Sequence, residues 1–243
     1  MAKQFLIIKT GTTIPSLLAN TEDFEDWFIL GSGRRRCEFL VCSIHLHQAL
    51  PRLATIDGII ITGSPAYLTD LESRNYIAAD YLRNAHADEI PILGVCYGHQ
   101  LVAWTFGGSV DFHRGGREIG TVEIKLTASA KSDPLFASLP DKFKAQVSHQ
   151  QTVTQLPEEA VLLAENNFER HHAFRLGLST WGVQFHPEFS DAVTRAYISE
   201  RRVALTAEGL DPDRLLRDTV PTPEAAGLIR HFVQIVVKGL GGA

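Results

Sequence analysis

Through the first hundred residues, short apolar runs alternate with longer amphipathic stretches. Phe5-Leu6-Ile7-Ile8, Glu38 to Cys42, Asp57 to Thr62 and Ile92-Leu93-Gly94-Val95 read as strands. Ser16 to Leu30, His45 to Ala54 and Ser73 to Ala87 read as helices between them. In the third of these, Ile77, Tyr81 and Leu82 share one face. A fourth helix, Tyr97 to Phe106, follows Val95-Cys96 and stops at Gly107-Gly108. Strands that are apolar throughout are buried on both faces. Alternated with helices, they predict a three-layer α/β domain around a mostly parallel central sheet. Functional groups in such sheets gather beyond the carboxyl ends of the strands, the position of Thr62-Gly63-Ser64 and Val95-Cys96-Tyr97.

The pattern changes after Gly108. Glu118 to Leu126, Phe143 to Val147, Val161 to Ala164, Ala173 to Leu176 and Thr180 to Phe185 read as strands joined by turns, a small antiparallel part. A helical tail runs from about Asp191 to Leu216. A last helix opens on Thr222-Pro223-Glu224 and ends near Gly239, with Leu228, Phe232 and Ile235 on one face. No repeat, low-complexity tract or linker interrupts the chain. The expectation is one domain over residues 1–243, with about 190–243 a helical C-terminal extension.

Composition narrows the function classes. At 243 residues with 44% hydrophobic and 21% charged residues, the chain has the make-up of an ordinary globular protein. A net charge of -5 argues against a nucleic-acid partner, and the run Arg34-Arg35-Arg36 reads as a solvated loop. Of three cysteines, Cys37 and Cys42 read as reduced, core-filling residues, and none sits in metal-ligand spacing. Without a leader-like start or an apolar run of membrane length, the expected location is cytoplasmic, away from membranes.

The chemistry is concentrated in two places. Gly94-Val95-Cys96-Tyr97-Gly98 is a G-x-C-x-G sequence at a strand-to-helix junction, the thiol form of the nucleophile elbow. The sharp turn crowds the positions two residues either side of the nucleophile, which glycine relieves. The following helix N-terminus favours the thiolate. A buried cysteine beside two packing glycines would give the same letters. The second place is His186-Pro187-Glu188, at the end of the apolar strand Trp181 to Phe185. A thiol nucleophile needs a base, and imidazole titrates near neutrality. Pro187 keeps His186 out of helical backbone, and Glu188 can fold back onto the second ring nitrogen. His45, His47, His86, His171 and His172 read as surface or satisfied core residues.

Gly94-Val95-Cys96-Tyr97-Gly98-His99-Gln100 together with Gln184-Phe185-His186-Pro187-Glu188 resembles the class I, or triad, glutamine amidotransferases. The likeness is nearest to stand-alone proteins similar to the amidotransferase domain of GMP synthase. Thr62-Gly63-Ser64-Pro65 resembles that family's oxyanion loop, and Val147-Ser148-His149-Gln150 its loop against the glutamine backbone. The resemblance implies a flavodoxin-like class I fold and a role for each matched position. Cys96 would be the nucleophile, His186 the base and Glu188 its orienter. Gly63, Ser64 and Tyr97 would form the oxyanion hole, and Gln100, Ser148, His149 and Gln150 would bind substrate. Neither a cofactor nor a metal is implied.

Two features depart from the family pattern. Ser64 stands where a second glycine is common, which would stiffen the loop. The tail beyond Glu188 is long, and its arginines (Arg195, Arg201, Arg202, Arg214 and Arg217) read as a solvated face, with a lid or partner-docking surface as the sharper alternative. No nucleotide-activating loop is visible. Ammonia released from glutamine would therefore go to a separate synthetase subunit or to solution. Two rival readings stay open: a γ-glutamyl hydrolase or peptidase with the same triad, and a catalytically silent regulatory or binding module.

Overall fold

The computed structural model describes residues 2–20, 22–33 and 37–239; the arginine run at 34–36 lies outside them. Nine strands form one sheet in the order β2-β1-β3-β4-β11-β10-β9-β6-β7. The parallel half comprises β2 (Cys37–Ser43), β1 (Lys3–Lys9), β3 (Gly58–Ile61), β4 (Ile92–Val95) and β11 (Thr180–Val183). The antiparallel half continues through β10 (Ala173–Leu176), β9 (Val161–Glu165), β6 (Glu118–Leu126) and β7 (Lys142–His149). An isolated antiparallel bridge pairs Gln146 with His186. It carries the end of β7 round to the carboxyl end of β11, and so joins the two halves where the site lies.

The strands of the parallel centre are buried because helices cover both faces. On one face lie α2 (Phe24–Gly31) and α8 (Pro223–Lys238). Here Phe28, Leu228 and Phe232 join Phe5, Ile7, Leu93 and Trp181 in the larger core. On the other lie α3 (Ser73–Ala87) and α4 (Tyr97–Thr105), where Leu82, Leu101 and Val102 pack on Leu6, Ile8, Ile59 and Phe174. Cys42 is buried in this second core, and Cys37 packs at the margin of the first. The α/β expectation of a parallel-centred sheet with flanking helices holds, while the antiparallel part, β10, β9, β6 and β7, is larger than the small one expected.

Several elements differ from the sequence reading. The helix expected over Ser16 to Leu30 is two, α1 (Pro15–Leu18) and α2. Asp23 starts the second by accepting from backbone N–H groups, while Asp26 reaches back to the N–H of Asp23. The helix expected over His45 to Ala54 is absent. Two single 3₁₀ turns, Ile44–Leu46 and Leu53–Thr55, flank an irregular stretch. His47 there adopts a left-handed φ of 59°, and the Gln48 side chain accepts from the N–H of Ser43. Ile77 does not share a buried face with Leu82; it is 63% exposed. Strands β5 (Ser109–Phe112) and β8 (Gln151–Gln155) pair in a small second sheet the sequence reading did not contain. The helical tail divides into three helices, α5 (Asp191–Glu200), α6 (Arg202–Ala207) and α7 (Pro212–Asp218). Thr222 makes no side-chain cap to α8; Pro223 opens it. Among the described residues, no helix is long and apolar enough to cross a membrane.

Candidate active site

Cys96 lies between the end of β4 and the start of α4, at φ 52° and ψ -102°. A β-carbon makes this backbone unfavourable for any residue but glycine, so its surroundings must hold it there. They do so through hydrogen bonds on both sides. The N–H of Cys96 donates to the carbonyl of Val183 on β11 at 2.8 Å, and its carbonyl accepts from the N–H of Gln100 at 3.1 Å. The flanking glycines are sterically required. A β-carbon on Gly94 would lie 2.4 Å from the carbonyl oxygen of Gly98, and one on Gly98 would lie 2.5 Å from that of Ile61. Tyr97 is the first residue of α4, so its N–H belongs to the set with no intrahelical acceptor.

β11 delivers the imidazole. Val183 pairs with Val95 in parallel register, and the chain runs on to His186 while β4 turns at Cys96. The main-chain N–H of His186 donates to the carbonyl of Gln146 at 2.8 Å. Its ring stacks on Phe189 at 4.0 Å between centroids, backed by Phe24, Trp27 and Tyr197. Gly63 also lies close to the ring, where a β-carbon would come within 3.0 Å of Cε1. Nδ1 of His186 donates to Oε1 of the buried Glu188 at 2.7 Å.

The electrostatics of the pair follow from this arrangement. Burial alone would push the Cys96 thiol up. The charge and hydrogen bond of His186, with help from His149, bring it below its ordinary value instead. Burial alone would likewise lower His186, but Glu188 and Cys96 raise it to about 10. Thiolate and imidazolium stabilise one another, and the couple titrates as a unit.

The loop after β3 is tied to the end of β1. The carbonyl of Gly63 accepts from the hydroxyls of Thr10 and Thr62, both at 2.9 Å. Because the peptide is trans, the N–H of Ser64 points the opposite way, away from β1. The Ser64 hydroxyl donates to the carbonyl of Thr10 at 3.2 Å and accepts from the N–H of Ala66 at 3.1 Å. Glycine at this position would lack both ties.

Cys96, Tyr97, Ser64, Gln100, Ser148, His149 and Gln150 all line one cavity of about 140 Å³. Gln100 is buried rather than a surface polar, with Nε2 donating to the carbonyl of Gln151 at 2.9 Å and to Oε1 of Gln184 at 3.0 Å. His149 is held through both ring nitrogens. Nδ1 faces the carbonyl of Gln151 and Nε2 faces Oε2 of Glu118, each at 3.0 Å. Two acceptors require two protons, so His149 is a buried imidazolium. Burial opposes that charge, and Glu118 raises the His149 pKa against it. Burial would raise Glu118 in turn, yet His149 and His172 hold it well below the usual carboxylate range. His172 lies 3.3 Å from Glu118 and is part of this cluster.

Sequence reasoning missed two cations in the cavity wall, Arg117 and Arg201. Arg117 forks onto Glu208 through Nε and Nη2 at 2.8 and 2.9 Å. Arg201, between α5 and α6, donates to the Ser148 hydroxyl at 3.0 Å and lies 4.7 Å from the ring centre of Tyr197. Arg195 also departs from the solvated-face reading, since its guanidinium donates to the carbonyls of Leu216 and Thr219. Arg202 and Arg214 do form surface pairs, with Asp213 and Asp218. Only the clustering of arginines in the tail could have signalled Arg201; Arg117, after Gly115-Gly116, carried no signal. Among the described residues, no group of three or more His, Cys, Asp or Glu could hold a metal ion.

Comparison with known proteins places the chain in a family. Residues 20–204 match the family model described as glutamine amidotransferase class-I, and the chain belongs to that family. It is 37% identical to a glutamine-hydrolysing GMP synthase subunit of Methanopyrus kandleri, over 54% of this chain and 66% of that one. It is 34% identical to the glutamine-hydrolysing GMP synthase of Porphyromonas gingivalis, over 82% of this chain and 36% of that one. The chain thus spans less than two thirds of these curated relatives. A γ-glutamyl-L-1-hydroxyisopropylamide hydrolase from a Pseudomonas species is 32% identical over 65% of this chain and 55% of its own. In fold, the chain matches glutamine amidotransferases from Thermotoga maritima and Methylobacillus flagellatus. The TM-scores are 0.77 and 0.78, each at 22% identity, covering 98% and 100% of this chain and 100% and 97% of theirs.

Proposed function

We propose that this chain hydrolyses the γ-amide of glutamine through a thioester on Cys96. The observation that carries the reading is the convergence of Cys96, a thiol in left-handed backbone at a helix start, and the buried His186 on the same glycine, Gly63, with His186 hydrogen-bonded in turn to Glu188. The Cys96 thiolate attacks the γ-carbonyl carbon, and the carbonyl π electrons move onto oxygen. The N–H groups of Ser64 and Tyr97 receive that oxyanion, and Gly63 supplies the room beside the imidazole. A donor of this kind lowers the barrier by about 3 kcal/mol. His186, protonated, gives its proton to the departing nitrogen, and ammonia leaves as the thioester forms. Neutral His186 then takes a proton from water, whose oxygen attacks the thioester, and glutamate departs with the thiolate restored. Glu188 holds the imidazole in the tautomer both steps need.

Ammonia would pass to a separate synthetase polypeptide. Similarity to a relative that is itself named as one subunit of a GMP synthase supports that destination. A second reading keeps the acyl half and changes the leaving amine: hydrolysis of γ-glutamyl amides. It is supported by the relative named for one such substrate. Purified protein, assayed for ammonia from glutamine and amine from γ-glutamyl alkylamides, separates the two. Adduct formation by a glutamine-mimicking electrophile tests both against a silent module: absence of any Cys96 adduct would leave the binding module standing.

A further inference from the structure

We infer that Arg201, contributed by the segment between α5 and α6, binds the α-carboxylate of the substrate and restricts the enzyme to γ-glutamyl compounds with that group free. This rests on the cavity beside Cys96 being the γ-glutamyl site. Three cations line it: Arg117, His149 and Arg201. Two are matched within the protein, Arg117 by both oxygens of Glu208 and His149 by Glu118. Arg201 is not. Among the described residues no carboxylate lies within ion-pair distance of its guanidinium, whose polar partner is the Ser148 hydroxyl. Its Cζ lies over the Tyr197 ring, 4.7 Å from the ring centre.

A guanidinium cannot shed its charge, and holding one in a partly closed cavity without a counter-ion in contact is unfavourable. A carboxylate supplied by the ligand removes that cost through a forked pair of hydrogen bonds. Size decides which carboxylate. A cavity of about 140 Å³ has room for one small molecule, comparable to the site of about 150 Å³ that takes benzene. With the γ-carbonyl at Cys96, the acyl half fills that space, and a leaving amine projects outward. The carboxylate that reaches Arg201 is therefore the glutamyl group's own. Glu208 is already committed to Arg117 and Gln150, so the rim offers the free cation at one point only among the described residues.

The test compares glutamine with glutamine α-amide, which keeps the γ-amide and loses the negative charge. Wild-type protein turns over glutamine about 10- to 100-fold better in kcat/KM. Arg201→Gln lowers the glutamine value by the same factor, mainly through KM, and leaves the α-amide value unchanged; Arg201→Lys recovers part of the loss. Equal losses on both substrates, or none on glutamine, overturn the assignment. Calorimetry on Cys96→Ala with and without Arg201→Gln gives an arm independent of turnover. Glutamine binding that weakens at least 10-fold supports the site, and binding indifferent to Arg201 overturns it. Arg201-dependent binding without hydrolysis of either substrate by wild type would instead sink the hydrolase reading alone.

Discussion

Oε1 of Glu188 accepts from Nδ1 of His186 at 2.7 Å, although only one residue, Pro187, separates them. The carboxylate is buried, so the contact fixes the ring orientation and favours its cation. Glu188→Gln keeps the shape but cannot stabilise that cation. We predict a fall in kcat of about 100-fold or more, with KM for glutamine little changed. The rate of Cys96 alkylation at pH 7 should fall in parallel. Unchanged alkylation would show that the thiolate does not depend on the imidazolium.

The pH dependence of kcat/KM should be bell-shaped. Falling pH protonates Cys96 at a value below that of an ordinary thiol. Rising pH removes the His186 proton near 10. Because His186 is raised on folding, its stabilising contribution is complete below its ordinary value of 6.5 and disappears as pH rises through about 10. An alkaline limb near 7 in a steady-state profile would contradict the assignment.

Three glycines separate close contact from helix propensity. Gly94→Ala and Gly98→Ala place a β-carbon within 2.4 and 2.5 Å of main-chain oxygens, and each should cost about 3 kcal/mol or more. Gly227→Ala, inside α8 with nothing within 4 Å, should stabilise by about 0.5–1 kcal/mol. Urea midpoints give all three values.

Glu118→Gln removes the partner of a buried imidazolium. Stability at pH 7 should fall by about 3–5 kcal/mol. Glu118 is depressed on folding, so its contribution is present above its ordinary value of 4.5 and is lost as pH falls below it. Wild type and variant should therefore converge towards acid. The acid limb of the rate profile should move to higher pH in the variant, because His149 helps hold the Cys96 thiol low. A parallel pair of stability curves from pH 3 to 7 would count against the buried ion pair.

Much of the architecture was legible because the centre of β1 (Phe5 to Ile8), β3 and β4 are apolar, and that pattern fits few alternatives. The elbow and the His-Pro-Glu turn were legible because their backbone demands leave glycine and proline in fixed places. What could not be read was set by contacts across the chain. The stretch from His45 to Ala54 carries helical spacing, but the Gln48 side chain closes a loop on Ser43, and Pro51 interrupts the run. The capping pair Asp23 and Asp26, which starts α2, went unread in the sequence. His149 was legible only as a substrate-loop residue, and only β6 pairing with β7 reveals that Glu118 lies opposite it. Arg201 looked like one more tail arginine because nothing local distinguishes a side chain above a distant tyrosine.

The pairing of Val95 with Val183 has a practical side. Thiol and imidazole reside on separate stretches of the chain and meet only because two neighbouring strands share a ladder. A protein cleaved in the Arg114–Gly116 turn would put the sulfur on one fragment and the imidazole on the other. Neither piece could perform the reaction alone. Recovered turnover on mixing would then serve as a direct readout of whether the centre of the sheet had been rebuilt.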